Sequence, residues 1–246
     1  MRKSISYLFL LVQLIPATVF AGDYKLVLGK GFEVCEAYLK NLNSFPKAPP
    51  MVCERPLNPR LKELSKPQWQ PLEVWPNRHL LRQALRNKPF NLKYSDEEFE
   101  KHDPLEKWEA NLRARLAERA MTFGVANLDV DRDGKEEAVL RFDSGFPCDP
   151  TNESTFANPG SGIEFYVLTP DQRGLEAWKS GNFNVAGRPE IFLYKGRVYL
   201  TTWVGNLKFT QGQLTVRTPL HVPHGMEKEI RSCKYEYKPA NERRHP

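Results

Sequence analysis

The sequence predicts an α+β protein in which a helical, proline-rich N-terminal half packs on a C-terminal antiparallel β-sheet. Three observations predict it. Up to about Ala120, apolar residues recur at helical spacing in segments bounded by capping residues and prolines. Residues 46–76 carry eight prolines, which interrupt both helix and central strand. After Met121 the chain turns to short apolar runs rich in β-branched and aromatic residues, separated by glycine-bearing turns. Helices and strands segregated along a chain, rather than alternating, point to α+β.

Tyr24 to Leu28 alternates and predicts a short strand, which Gly29 and Gly31 end. Val34, Cys35, Tyr38, Leu39 and Leu42 share one helical face, so Phe32 to Leu42 is expected to be an amphipathic helix stopped at Asn43-Ser44 and Pro46. The proline-rich stretch from Pro46 to Pro76 also carries Trp69, Val74 and Trp75, which predicts an extended strap that inserts aromatics rather than a solvated linker. Asn77 is placed to cap a helix bearing Leu80, Leu81, Ala84 and Leu85, ended by Pro89. Ser95-Asp96-Glu97-Glu98 is a capping box. Asp103-Pro104-Leu105-Glu106 is a second, with proline at the first helical position. Leu105, Trp108, Leu112 and Leu116 form the stripe of the following helix, which should reach about Ala120. Strands are predicted at Thr122–Leu128, Ala138–Phe142, Ile163–Leu168, Glu190–Tyr194, Arg197–Trp203, Gln213–Arg217 and Glu229–Tyr237, with Lys195-Gly196 and Gln211-Gly212 as hairpin turns. The expected organisation is residues 1–21 as a signal peptide, 22–120 as the helical and proline-rich part, and 121–246 as the antiparallel β part, the last two forming one composite domain.

The signal peptide is read from Met1-Arg2-Lys3, an apolar run from Tyr7 to Phe20, and small residues at Val19 and Ala21 that place cleavage after Ala21. Of 246 residues, 225 then remain, and the formal charge falls from +6 to +4 with the loss of Arg2 and Lys3. That excess is too small to indicate a nucleic-acid partner. No apolar run of about 20 residues follows the start, so no stable membrane span is expected after cleavage. The expected location is periplasmic or secreted. Nine Lys/Arg lie between Arg55 and Lys93 against Glu63 and Glu73, and seven acids follow between Asp96 and Glu109. Pairing of these two stretches with each other is the favoured expectation. Four cysteines in an exported chain predict disulfides. Three connectivities are possible. Short-range closure favours Cys35–Cys53 with Cys148–Cys233.

One segment carries recognisable chemistry. Asp129-Val130-Asp131-Arg132-Asp133-Gly134-Lys135-Glu136-Glu137 stands between two predicted strands. Calcium is a hard cation that takes six to eight oxygens. Carboxylates at alternate positions of a tight loop converge on one point, Gly134 permits the turn, Glu137 returns a last carboxylate, and Lys135 offers its carbonyl. An EF-hand would need glutamate at loop position 12, and Leu140 stands there. The segment resembles the calcium loop of FG-GAP and integrin-type β-propeller repeats. The resemblance implies Asp129, Asp131, Asp133 and Glu137 as metal ligands and calcium as a structural cofactor. Propellers repeat the motif and this chain has it once, so what carries over is a strand–loop–strand site. The stretch from Gly31 to Leu39, with Cys53-Glu54-Arg55-Pro56, resembles uncharacterised secreted bacterial proteins, which implies a compartment and no activity.

Other candidates are weaker. His221 and His224 lie beside Pro219 and Pro223, with no acid to complete a zinc shell. His79 and His102 are expected on the surface, Trp203 in the core. Asn152-Glu153-Ser154 is a glycosylation sequon. The loop 146–162, rich in Pro, Asn, Ser and Gly, is where a binding surface would be sought, with Trp178 a further aromatic. No nucleophile elbow, zincin helix, phosphate loop or dinucleotide fingerprint occurs. The expected function is therefore that of a non-enzymatic exported protein with a structural calcium-binding β-hairpin, acting by binding an envelope or extracellular component. The alternative is a secreted hydrolase with a carboxylate site among Glu164, Asp171 and Glu176, which a pair of perturbed carboxylates in a pocket would reveal.

Overall fold

The computed structural model describes residues 23–45, 55–88, 91–118, 120–145, 162–176, 189–205, 212–219 and 233–238. The signal peptide, Cys53, Cys148, the sequon, most of the 146–162 loop, Trp178, the Gln211 turn residue and the 221/224 histidines lie outside the described residues. The chain is α+β. Its elements are β1 (Asp23–Leu28), α1 (Glu33–Asn43), β2 (Leu64–Ser65), β3 (Gln70–Leu72), α2 (Arg78–Arg86), α3 (Asp96–His102), α4 (Leu105–Glu118), β4 (Thr122–Leu128), β5 (Glu137–Asp143), β6 (Ile163–Val167), β7 (Glu190–Tyr194), β8 (Arg197–Gly205), β9 (Gly212–Arg217) and β10 (Cys233–Lys238).

The strands form two antiparallel sheets where the sequence suggested one. The larger has the order β1-β10-β9-β8-β7-β2 and the smaller β3-β4-β5-β6. The first half of the chain is not purely helical, because it contributes β1, β2 and β3 to these sheets. Period-two alternation explains the layering. Ile191, Val198 and Leu200 of the larger sheet share a core with Ala126, Leu128, Val139, Ile163, Phe165 and Val167 of the smaller one. The alternate residues of the larger sheet, among them Phe192, Tyr199, Trp203, Leu214 and Tyr235, pack instead with Cys35, Ala37, Tyr38 and Leu42 of α1. On the far side of the smaller sheet, Phe123, Leu140, Phe142 and Tyr166 pack with Leu80 and Ala84 of α2 and with Leu116 of α4. The result is four layers: helix, sheet, sheet, helices. A sheet with apolar residues on both faces must be covered on both, and each of these is.

The proline-rich strap joins the layers. Within it, β2 pairs with β7 on the larger sheet. Five residues later β3 pairs with β4 on the smaller sheet. Pro71 is tolerated because β3 is an edge strand, where a missing N–H costs no ladder bond. Trp69 crosses between the sheets, its ring stacked on Phe165 with centroids 5.7 Å apart. Gly124 lets it approach, since a Cβ there would lie 3.1 Å from the Trp69 Cβ. Asn41 of α1, fully buried, holds the strap's start: its amide donates to Pro56 O at 3.1 Å and its Oδ1 accepts from Asn58 N at 2.7 Å.

Local signals have mixed outcomes. The Ser95 capping box forms, with Glu98 N donating to Ser95 Oγ and Ser95 N to Glu98 Oε2. Lys195 and Gly196, at φ 49° and 79°, make the two-residue turn that joins β7 to β8. Asn77 stands before α2, but its side chain donates to Glu73 O and does not cap the helix. Asp103 receives Arg82 Nη1 at 2.7 Å. On α4 only Leu112 is buried, and Leu105 is 48% exposed, because the helix meets the body along part of the expected stripe. Trp203 is buried in the core, and His79 and His102 are exposed.

The basic and acidic stretches meet. Arg78, Arg82 and Arg86 recur every four residues on α2, and pair with Glu109, with Glu100 and Asp103, and with Asp96. Arg82 is the hub, its guanidinium also 4.5 Å from the Phe99 ring centroid and 5.5 Å from that of Trp108.

The expected short-range disulfide is replaced by a long-range one. Cys35 bonds to Cys233, 198 residues away, with Cα atoms 5.5 Å apart. This overturns both Cys35–Cys53 and Cys148–Cys233. Sequence proximity decides how easily a loop closes in the unfolded chain, whereas the fold decides which thiols meet. Here β1 pairs with β10, which brings the start of β10 beside the first turn of α1. The two halves are sewn together rather than stapled separately. Gly29, just after β1, lies against both: a Cβ there would stand 2.6 Å from Cys35 Sγ and 3.3 Å from Cys233 Cα.

Candidate metal centre

β4 and β5 form a continuous ladder from Thr122↔Asp143 to Leu128↔Glu137. The turn between them, residues 129–136, is the acidic segment. Strands of equal pairing length deliver Asp129 at the end of one and Glu137 at the start of the other. Gly134 adopts φ 87° and Arg132 φ 63°, so the turn passes twice through left-handed backbone, once at a residue for which that is unfavourable.

Asp129, Asp131 and Glu137 come together, with one carboxylate oxygen from each within 4.8 Å of the others. This is the only group of three or more potential metal-ligating side chains among the described residues. All three are partly buried. Asp133, the fourth expected ligand, lies outside the group; it is exposed, and its Oδ1 accepts from Lys135 N at 2.8 Å. Backbone donors brace the others. Gly134 N donates to Asp129 Oδ2 at 3.2 Å, Asp133 N to Asp131 Oδ1 at 3.3 Å, and Val130 N to Glu137 Oε2 at 3.1 Å. Asp129 Oδ1 is shut off from solvent and accepts no hydrogen bond. A buried carboxylate oxygen without a donor is costly unless a cation serves it. The donor set is all carboxylate, which suits a hard divalent ion, with carbonyls or water completing a shell of six or more.

The turn has a second face that the motif did not advertise. Between the acids, Val130 is 2% exposed and packs in the core between the sheets. Arg132 places its guanidinium 5.2 Å from the ring centroid of Tyr199 on β8. Asp129, Asp131 and Glu137 gather their carboxylates, while Val130 and Arg132 between them dock the turn on the other sheet. The signal was present as the x residues of D-x-D-x-D, which must point away from the acids.

Each residue of the hydrolase alternative has its own hydrogen-bond partners. Glu164 Oε2 accepts from Lys88 Nζ at 2.9 Å and from the Tyr166 hydroxyl. Burial and the adjacent Glu164 charge push the Tyr166 hydroxyl well above its ordinary range, which makes it a stable neutral donor. Asp171 accepts from Thr169 Oγ1 at 2.6 Å and Arg173 N at 3.1 Å, and these bonds hold its carboxyl below the usual range. Glu176 joins the sheet margin through its N–H to Val167 O.

Comparison with known proteins adds no relative: no family model, no curated protein and no solved structure matches this chain. Among the described residues no helix is long and apolar enough to cross a membrane.

Proposed function

We propose that the chain is an exported, non-enzymatic binding module whose β4–β5 turn is held by one structural calcium ion. Asp129, Asp131 and Glu137 are its side-chain ligands, with Asp133 able to join them by a rotation of its side chain. The observation that carries the reading is the convergence of three partly buried carboxylates around a turn in which Asp129 Oδ1 has no donor. Three such charges held together repel one another, and a divalent cation removes that repulsion. The turn is also docked on the second sheet through Val130 and Arg132, so an ion there stabilises the sandwich rather than meeting a substrate. Export is supported by the N-terminal charge and apolar pattern and by the buried Cys35–Cys233 bond, since such bonds persist in oxidising compartments. The partner is an envelope or extracellular component.

Thermal melts in millimolar calcium, in magnesium and in chelator test the ion. Calcium sites of extracellular modules bind at roughly 0.1–1 mM. At 100 times the dissociation constant the linkage gain is about 2.7 kcal/mol. For a chain of this size that raises Tm by about 5–10 °C. Asp131→Ala should abolish the shift and Asp171→Ala should leave it. Coincident melts in calcium and chelator would reduce the turn to a solvated acidic loop. Export is tested separately, by finding Gly22 at the mature N-terminus.

A further inference from the structure

The disulfide joins the first cysteine of the chain to the last, and passes over Cys53 and Cys148 in between. We propose that the protein is a client of a thiol–disulfide isomerase, a dithiol protein that must rearrange an early, misplaced Cys35–Cys53 bond before the sandwich can close. The proposal rests on the export reading for its setting, and on the observed connectivity for its chemistry.

In the unfolded chain, pairing follows loop length. Cys35 is 18 positions from Cys53 and 198 from Cys233. Closure probability falling as the three-halves power of loop length favours the shorter loop by about 36-fold. Order of appearance acts in the same direction, because Cys53 precedes Cys233 in any process that runs from the N-terminus. The bringing together of Cys35 and Cys233 waits for β10, the last of the described strands, to pair with β1 and β9. A disulfide donor that oxidises thiols as they appear therefore produces Cys35–Cys53 first, taking two electrons and two protons from that pair.

The native bond, in contrast, is an end state. Cys35 and Cys233 are 0% and 1% exposed, the Tyr235 hydroxyl donates to Cys35 O at 3.0 Å, and Gly29 is packed against the bond. An attacking thiolate needs access to a sulfur, so exchange takes place before these layers close. The isomerase thiolate attacks Cys35 Sγ of the misplaced bond and releases the Cys53 thiolate. The Cys233 thiolate then attacks Cys35 Sγ of the mixed disulfide and expels the isomerase thiolate. One disulfide replaces another, with no net electron transfer and the isomerase regenerated.

The test is oxidative refolding of the reduced mature chain in a glutathione redox buffer, with acid quenching, alkylation and peptide mapping, with and without a purified thiol–disulfide isomerase. The expected result is Cys35–Cys53 ahead of Cys35–Cys233 at early times, with a tenfold or greater acceleration of Cys35–Cys233 by the isomerase. The double variant Cys53→Ser, Cys148→Ser, which has only one intramolecular pair open to it, should form that pair at a rate independent of the isomerase. Direct appearance of Cys35–Cys233 in the wild-type chain, or a wild-type rate that the isomerase leaves unchanged, would overturn the proposal even if the double variant fails to fold. An intact Met1 on protein taken from its natural compartment would instead remove the export reading, while leaving the refolding result to stand on its own.

Discussion

Replacing Asn41 by leucine should be among the most damaging single changes in the N-terminal half. The side chain is isosteric enough to avoid a large cavity, so the effect isolates hydrogen bonding. Asn41 is fully buried on α1 and makes two bonds to the strap, to Pro56 O and from Asn58 N. Each bond contributes about 1 kcal/mol net, and stranding a partly buried backbone partner adds about 1 kcal/mol more in all. The sum is about 3 kcal/mol, or a fall in Tm of roughly 6–12 °C for a chain of this size. Asn43 supplies the internal comparison. It makes two similar bonds, from Tyr24 N at 2.8 Å and to Tyr24 O at 3.0 Å, but is itself exposed. Asn43 is open to solvent while its partner Tyr24 is buried, so water replaces only part of what Asn43→Ala removes, and that change should cost about 1–2 kcal/mol. Urea melts at one pH give both values, and hydrogen exchange should show the Asn58 amide losing protection in Asn41→Leu. Equal costs for the two variants, or a cost below about 0.5 kcal/mol for Asn41→Leu, would refute the account of the strap as held by a buried amide clamp.

Two further outcomes follow from the charged and aromatic layers. Arg82→Gln should cost on the order of 2 kcal/mol, between the ranges for exposed and buried pairs, because Arg82 is mostly buried and serves both Glu100 and Asp103 while covering Phe99; Arg78→Gln, at a more exposed pair, should cost less than half as much, and circular dichroism melts rank the two. Burial drives the Tyr38 and Tyr235 hydroxyls far above the ordinary tyrosine range, the Glu190 charge adding to the rise at Tyr38 against the opposing effect of Arg55, and Tyr38 adding to it at Tyr235. A folded-state pKa above the unfolded one means that the native state holds the proton longer. This contribution is therefore complete below the unfolded tyrosine pKa of about 10 and is lost as pH rises beyond it. Denaturant midpoints should accordingly fall above about pH 10 together with a cooperative rise in tyrosinate absorbance, and gradual ionisation without loss of structure would contradict the burial of these rings.

How much was legible in the sequence depended on whether the deciding physics was local. Alternation along a strand is a property of neighbours two apart, so the eight strands from Asp23 and from Thr122 onward were readable; β4 and β7 coincide with their expected limits, and β10 is described over Cys233–Lys238, the first four residues of its expected span lying outside the described residues. The capping box at Ser95 and the Lys195-Gly196 turn are likewise closed within a few residues. The acidic turn was legible for the same reason, and Asp129, Asp131 and Glu137 do meet. Asp133 stands apart because its carboxylate is taken by Lys135 N, a choice of rotamer that spacing does not decide. Asn77 and Asp103 show the limit of capping signals: Glu73 O, four residues back along the chain, takes the Asn77 amide, and Arg82, which packing brings near, takes the Asp103 carboxylate.

Tertiary structure alone decided the division into two sheets, the crossing of the strap from one to the other, and the disulfide. A strand with apolar residues on both faces states that two layers must cover it, but not which layers. The sequence already held Ile191 and Phe192 on opposite faces of one strand; their assignment to the inter-sheet core and to the α1 core came only with assembly. The cysteines make the same point in covalent form. Chain entropy, which is all that spacing measures, favours Cys35 with Cys53. The folded sandwich places β10 beside β1 and joins Cys35 to Cys233, because burial of the layers outweighs the few kcal/mol that separate a short loop from a long one.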